Sequence, residues 1–120
     1  MAKKVSIITI NYNGKDDTVD LIESFGQHET YPYEIIIIDN GSKNHGEHRV
    51  LSKYSPKPIV IRSDKNLGFA GGNNLGIPYA DGDYILFLNN DTIINQPILE
   101  NLARAVSYTH LRAHETTLHL

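Results

Sequence analysis

Hydrophobic and polar positions divide the first hundred residues into short apolar runs separated by polar, glycine-containing breaks. Val5-Ser6-Ile7-Ile8-Thr9-Ile10 is β-branched and nearly continuous, the pattern of a strand covered on both faces. Asn13-Gly14 breaks it. Asp16 and Asp17 then offer carboxylates to the first turn of a helix running to about Phe25, with Thr18, Leu21, Ile22 and Phe25 on one stripe. Gly26 reads as its stop. A second buried strand follows at Glu34-Ile35-Ile36-Ile37-Ile38, ending in Asp39-Asn40-Gly41-Ser42. A short helix over Glu47–Tyr54 turns Val50 and Leu51 inward, and Pro58-Ile59-Val60-Ile61 is a third strand. The glycine-rich turn Lys65–Asn74 leads into a helix toward Tyr79, and Asp81-Gly82-Asp83 turns the chain into a fourth strand, Tyr84–Leu88. Pro97 is placed as the first residue of a last helix, Ile98 onward. Buried strands alternating with helices predict an α/β fold: a parallel, doubly wound, Rossmann-like sheet with helices on both faces.

Residues 106–120 break the pattern. His110 and His114 stand at helical i, i+4 spacing, a pairing that can ligate zinc. However, residues 106–116 resemble the translation of a transposase-type sequencing adapter, and on that reading the histidine pair carries no chemistry. The expected organisation is therefore a truncated domain over 1–105 and a non-native tail over 106–120.

Composition narrows the function classes. The 120 residues carry 11 Lys and Arg against 14 Asp and Glu, a net charge of −3, which leaves no electrostatic footprint for nucleic acid. There is no cysteine, so disulfides, thiolate metal sites and thiol nucleophiles are absent. The apolar runs are of strand length, far short of the roughly 20 residues a membrane helix needs, and Met1-Ala2-Lys3-Lys4 with the run behind it is too short for a secretory leader. The histidines His28, His45 and His48 fall in polar segments and read as solvated.

Candidate chemistry clusters just after the strands, on the rim where open α/β sheets bind ligands. Asp39 ends a run of four isoleucines, so its carboxylate is expected to emerge there, either to accept from a ring N–H or ribose hydroxyl or to form a local Asx turn. The glycines at 68, 71, 72 and 76 allow backbone to approach a ligand, or a helix to pack tightly on the sheet. They match neither the dinucleotide fingerprint nor a P-loop. Asn89-Asn90-Asp91 sets one carboxylate beside two amides, either a polar turn or a sparse oxygen site for Mg²⁺ or Mn²⁺ that phosphates and water would complete.

Together, Val5–Asn13, Ile37–Ser42, Lys65–Asn74 and Leu86–Thr92 resemble the consecutive blocks of a family 2 glycosyltransferase of the GT-A fold. Asn66–Asn74 with Leu88–Thr92 is most similar to the rhamnosyltransferase-like branch, which builds bacterial surface polysaccharides. The resemblance implies a donor that is a nucleotide-diphosphate sugar, a saccharide or lipid-linked acceptor, and inverting transfer by single displacement. It assigns Thr9, Asn11 and Tyr12 to the base pocket, Asp39 to the base, and Asn66, Gly68 and Asn73 to the nucleoside wall. Asn89, Asn90 and Asp91 take the DxD-type position, with Asp91 the ligand of Mg²⁺ or Mn²⁺ and Asn90 near ribose or donor sugar. The first acidic position of that motif is Asn here, one charge fewer. No residue in 1–104 matches the family's catalytic base, so this half-domain is expected to be inactive alone. The resemblance also implies cytoplasmic work at the inner face of the membrane, with peripheral association open for the full-length protein. Two rival classes remain on fold grounds, a nucleotidyltransferase-like domain and a receiver-type module. The first lacks its basic glycine-rich loop, and the second lacks an acidic pair where Asn11 and Asn13 stand.

Overall fold

A computed structural model describes residues 3–43, 46–109 and 117–119, with side chains described to residue 106. The chain runs β1 (Val5–Asn11), α1 (Lys15–His28), β2 (Tyr33–Asn40), α2 (Glu47–Leu51), β3 (Ile59–Ser63), α3 (Gly68–Gly76), a 3₁₀ turn (Ile77–Tyr79), β4 (Tyr84–Asn89), α4 (Leu99–Thr109) and β5 (Thr117–His119). All pairings are parallel and the sheet order is β3-β2-β1-β4-β5. The predicted α/β sheet is observed, with β5 added at its edge. His45, His110 and His114 lie outside the described residues.

Side-chain alternation divides the sheet into two cores. Val5, Ile7, Ile35, Ile37, Leu86 and Leu88 pack with Leu21, Ile22 and Phe25 of α1, Leu51 of α2, and Leu99, Ala103 and Val106 of α4. On the opposite face Ile8, Ile36 and Ile38 pack with Ile10, Ile61, Ile85, Phe87 and Leu75 of α3. The predicted stripe of α1 is buried in full, whereas of the Val50–Leu51 pair in α2 Leu51 turns inward and Val50 is exposed.

Helix α2 ends at Leu51, short of the expected Tyr54, β2 runs on to Asn40, and three further differences from the sequence reading have packing reasons. Helix α1 does not stop at Gly26 but runs to His28. A Cβ at Gly26 would lie 2.9 Å from Pro56, so this glycine admits a neighbour rather than ending the helix. The true end is at Glu29, whose carboxylate accepts from the Thr30 and Tyr31 amides and also from the Ile98 and Leu99 amides at 3.0 and 3.1 Å. One side chain thereby stops α1 and caps α4, which begins at Leu99, two residues beyond Pro97. The glycines at 68–76 are helix, not a turn before it: Gly72 and Gly76 are buried against Ile10 and against Ile8, Ile36 and Ile38.

At the N-terminal edge, Glu34 holds three segments together. Its carboxylate accepts from Ser6 Oγ at 2.5 Å and the Asp81 amide at 2.6 Å, and pairs with Lys4 at 3.4 Å. Burial acts to push this carboxyl up, but the Ser6 and Asp81 hydrogen bonds and the Lys4 charge outweigh it, holding it below its ordinary 4.5. A lowered folded value means that Glu34 contributes stability above pH 4.5, lost as pH falls through the folded value. Glu34→Ala should cost about 1–3 kcal/mol at neutral pH. Thermal unfolding from pH 7 to pH 3 should show the wild-type advantage shrinking on the acid side.

Candidate functional site

The strand order fixes where a ligand can enter. The chain leaves β1 toward β2 and β3 on one side and returns to β4 on the other, so loops diverge at the C-terminal ends of β1 and β4. Such a switch point opens a crevice. Here it is a cleft of about 410 Å³, within the usual range for small-molecule sites. Ile10 and Tyr12 line it from β1, Asn40 from β2, Asn66, Gly68 and Phe69 from the start of α3, and Leu88, Asn89, Asn90 and Asp91 from β4.

Of the residues anticipated from sequence, Tyr12, Asn66, Gly68, Asn89, Asn90 and Asp91 come together on this cleft, and Thr9, Asn11, Asp39 and Asn73 do not line it. Strand alternation explains the split. Ile8, Ile10 and Tyr12 alternate with Ile7, Thr9 and Asn11, and the latter set turns toward α1. Thr9 is fully buried and its Oγ1 has no hydrogen-bond partner. Asn73 is buried on the inner side of α3.

Asp39 corrects the expectation most sharply. Its carboxylate does not emerge at the rim; it is fully buried. Oδ1 accepts from Ser42 Oγ at 2.5 Å and Asn11 Nδ2 at 3.2 Å, and Oδ2 from Arg62 Nη1 at 3.3 Å. His48 Nδ1 lies 3.8 Å from Oδ2, beyond hydrogen-bond range, and is buried without a hydrogen-bond partner. His48 is thus partly enclosed in α2 rather than solvated. Asn11 extends the network: Nδ2 also reaches Glu47 Oε1 at 3.1 Å, and Oδ1 accepts from Thr18 Oγ1 at 2.6 Å. Asn90 joins from β4, its Nδ2 donating to Thr18 Oγ1 at 3.1 Å and to the Gly14 carbonyl at 3.4 Å.

On the cleft side, Asn40 is the residue that sequence reasoning undervalued as a turn former. It is 1% exposed. Its Nδ2 donates to Asn66 Oδ1 at 3.2 Å and the Gly68 carbonyl at 3.1 Å, while its Oδ1 accepts the Leu67 amide at 3.0 Å. Asn66 Oδ1 takes the Gly68 amide as well, at 2.9 Å. Gly41, at φ +76°, lets this wall close, since a Cβ there would lie 2.5 Å from the Asn66 nitrogen. Phe69, half-exposed in an otherwise small-residue stretch, gives the wall an apolar face; that lone aromatic was the available signal.

Of the lining residues only Asp91 is charged, and it is exposed. No group of three His, Cys, Asp or Glu forms a metal cage among the described residues. One carboxylate flanked by amide oxygens suits a hard cation whose remaining ligands come from phosphates and water, and it does not suit a closed protein site.

The fold and the cleft have counterparts among known proteins. The family described as Glycosyl transferase family 2 matches residues 6–111. The uncharacterized glycosyltransferase YwdF of Bacillus subtilis is 31% identical over 104 residues, covering 86% of this chain and 38% of that protein. The poly(ribitol-phosphate) β-N-acetylglucosaminyltransferase TarP of Staphylococcus aureus is 32% identical over 104 residues, covering 83% of this chain and 32% of TarP. The crystal structure of S. aureus TarS 1-349 in complex with UDP-GlcNAc aligns with a TM-score of 0.74 at 26% identity, over 89% of this chain and 32% of that one. The chain therefore spans well under half of each of these proteins. With the family match running from β1 past the end of α4, and the GT-A arrangement shared with TarS, the chain belongs to glycosyltransferase family 2.

Proposed function

We propose that residues 1–105 form the donor-binding part of an inverting glycosyltransferase that takes a nucleotide-diphosphate sugar. The observation that carries this reading is the cleft at the β1/β4 switch point, which places the aromatic Tyr12, the Asn40–Asn66 wall and the lone carboxylate Asp91 around one volume. UDP-GlcNAc in the TarS complex supports a uridine diphosphate sugar as the probe of choice. The acceptor would be a saccharide or lipid-linked molecule in surface-polysaccharide synthesis, TarP's poly(ribitol-phosphate) being a polymer acceptor of that kind, and the Asn66–Asn74 block favours hexosyl or rhamnosyl transfer. The work would be done at the cytoplasmic side of the membrane. Among the described residues, no helix is long and apolar enough to cross it.

In the transfer, an acceptor hydroxyl oxygen attacks the anomeric carbon as the bond from that carbon to the diphosphate oxygen breaks. The hydroxyl proton passes to a carboxylate outside residues 1–104. Asp91 would hold Mg²⁺ or Mn²⁺, with Asn89 beside it. The cation, when bound, offsets the negative charge developing on the leaving diphosphate. Tyr12 supplies an amphipathic ring on the opposite strand end, and the Asn66–Gly68 wall presents fixed backbone to the nucleoside.

Calorimetric titration of the chain with UDP should show binding in Mn²⁺ that is lost on adding EDTA. Asp91→Asn should weaken the Mn²⁺-dependent binding by about tenfold or more, equivalent to ~1.4 kcal/mol. Equal affinity with and without metal would overturn the assignment of Asp91. The chain should bind donor without transferring sugar, and measurable transfer by these 120 residues would overturn the half-domain reading.

The same reading makes Asn40 the support of the nucleoside wall. Asn40→Asp sets a carboxylate against Asn66 Oδ1 and the Gly68 carbonyl, where a donor is required. It should destabilise the fold by about 1–3 kcal/mol in urea denaturation and weaken UDP binding.

A further inference from the structure

Asn90 is the middle residue of the Asn89-Asn90-Asp91 motif, and the surroundings of its side chain account for an amide at that position. Asn90 continues the alternation of Leu86 and Leu88, so its side chain turns toward α1. Nδ2 has two hydrogens and meets two acceptors, Thr18 Oγ1 at 3.1 Å and the Gly14 carbonyl at 3.4 Å. The Thr18 hydroxyl donates its proton to Asn11 Oδ1 at 2.6 Å, its shortest contact, and Asn11 is fully buried. That leaves Thr18 Oγ1 a lone pair to offer Asn90. Both partners therefore present acceptors to position 90, although the Gly14 carbonyl also accepts the Thr18 amide at 3.1 Å and lies 3.1 Å from the Thr18 hydroxyl. A carboxylate would face a carbonyl oxygen and a hydroxyl whose hydrogen is committed elsewhere, beside a first helical turn already carrying Asp16 and Asp17.

Gly14 gives an independent observation. A Cβ built there would lie 2.7 Å from Asn90 Nδ2, with every other neighbour at 3.7 Å or beyond. Its φ is negative, −128° with ψ 37°, so a left-handed backbone is not what calls for glycine here. The residue is small because the Asn90 amide occupies the space, and the two are 76 positions apart in sequence.

We propose that Asn90 is a positioning residue: its amide ties the Asn89–Asp91 corner to the first turn of α1 through Gly14 and Thr18, and this tie sets how the corner presents Asp91 to a ligand in the cleft. This rests on the donor-binding reading for its second half only; the tie to α1 is independent of any ligand.

Four variants of the full chain test it: Gly14→Ala, Asn90→Ala, the double variant and Asn90→Asp. Melting without ligand reads the tie, and UDP affinity in Mn²⁺ reads its effect on the corner. Gly14→Ala displaces the flexible end of Asn90 rather than backbone, so the chain should stay folded while UDP affinity falls about tenfold. On the Asn90→Ala background the same Gly14→Ala change should alter neither melting nor affinity, because nothing remains to displace. Asn90→Asp should lower the melting temperature and should not tighten Mn²⁺, followed by the loss of the free-ion paramagnetic resonance signal. Additive effects in the cycle, or tighter Mn²⁺ binding by Asn90→Asp, would overturn the proposal. If the wild-type chain fails to bind UDP in Mn²⁺, the donor-binding reading falls, while the ligand-free melting cycle still decides whether Asn90 is tied to α1.

Discussion

The C-terminal edge of the sheet is organised around a carboxylate removed from water. Burying an ionised group costs several kcal/mol unless it is partnered and hydrogen-bonded. Asp39 is hydrogen-bonded from three parts of the chain: Ser42 from its own loop, Asn11 from β1 and Arg62 from β3 reach it within 3.3 Å, and His48 of α2 lies 3.8 Å away. Each partner fixes the element that carries it. The turn at Gly41 and Ser42 must fold back over β2, α2 must approach with Glu47 against Asn11, and β3 must register so that Arg62 lies beside Asp39. Removing any one donor would leave the buried carboxylate with an unsatisfied lone pair, and removing Arg62 would also leave its charge uncompensated, so the arrangement is held as a unit.

That unit has a consequence for the chemistry on the other face. With its lone pairs answered inside the protein, Asp39 adds no charged side chain to the cleft lining, and among the described residues Asp91 is left as the only charge there. The two carboxylates are nevertheless joined. Asn11 and Thr18 carry hydrogen bonds from Asp39 to Asn90, the residue immediately before Asp91. The buried face therefore supplies rigidity to a corner whose chemistry is displayed on the exposed one, a division of labour in which positioning groups lie behind the groups that meet ligand.

The sequence made much of this legible, and the omissions have physical causes. The isoleucine runs and the Thr18–Phe25 stripe declared themselves because burial on two faces or one leaves a period. The ligand-binding rim followed from strands alternating with helices, and with it Gly68 and Asn89–Asp91 of the cleft, whereas Tyr12 and Asn66 came with the family resemblance. What periodicity does not carry is which side of a strand end a polar residue takes when the strand outlasts its apolar run. Asp39 and Asn40 lie inside β2, so the pleat, not the loop, decides that one is a buried hub and the other a cleft support. Glycine was ambiguous for a related reason. Gly26 in α1 and Gly72 and Gly76 in α3 are small for the sake of neighbours remote in sequence, and a local rule that reads glycine as a stop or a turn has no access to Pro56 or Ile8. Glu29, a polar residue beyond a helix end, gave no local sign that it would cap α4.

Helix α3 shows how such packing shapes the site. Glycine costs about 1 kcal/mol relative to alanine at each helix-interior position, and this helix of nine residues contains Gly71 and Gly72 in its interior, with Gly68 and Gly76 at its ends. Left to itself the segment would not stay helical. It is held because the missing side chains let its backbone settle directly on Ile8, Ile10, Ile36 and Ile38, with Asn40 pinning its first turn. A side chain at Gly72 would meet Ile10 Cδ1 at 2.8 Å and Asn40 Nδ2 at 2.9 Å, lifting the helix and breaking the pin together. The height of the nucleoside wall above the sheet is therefore set by absent side chains, and the same close approach that buries the isoleucines gives the cleft its depth.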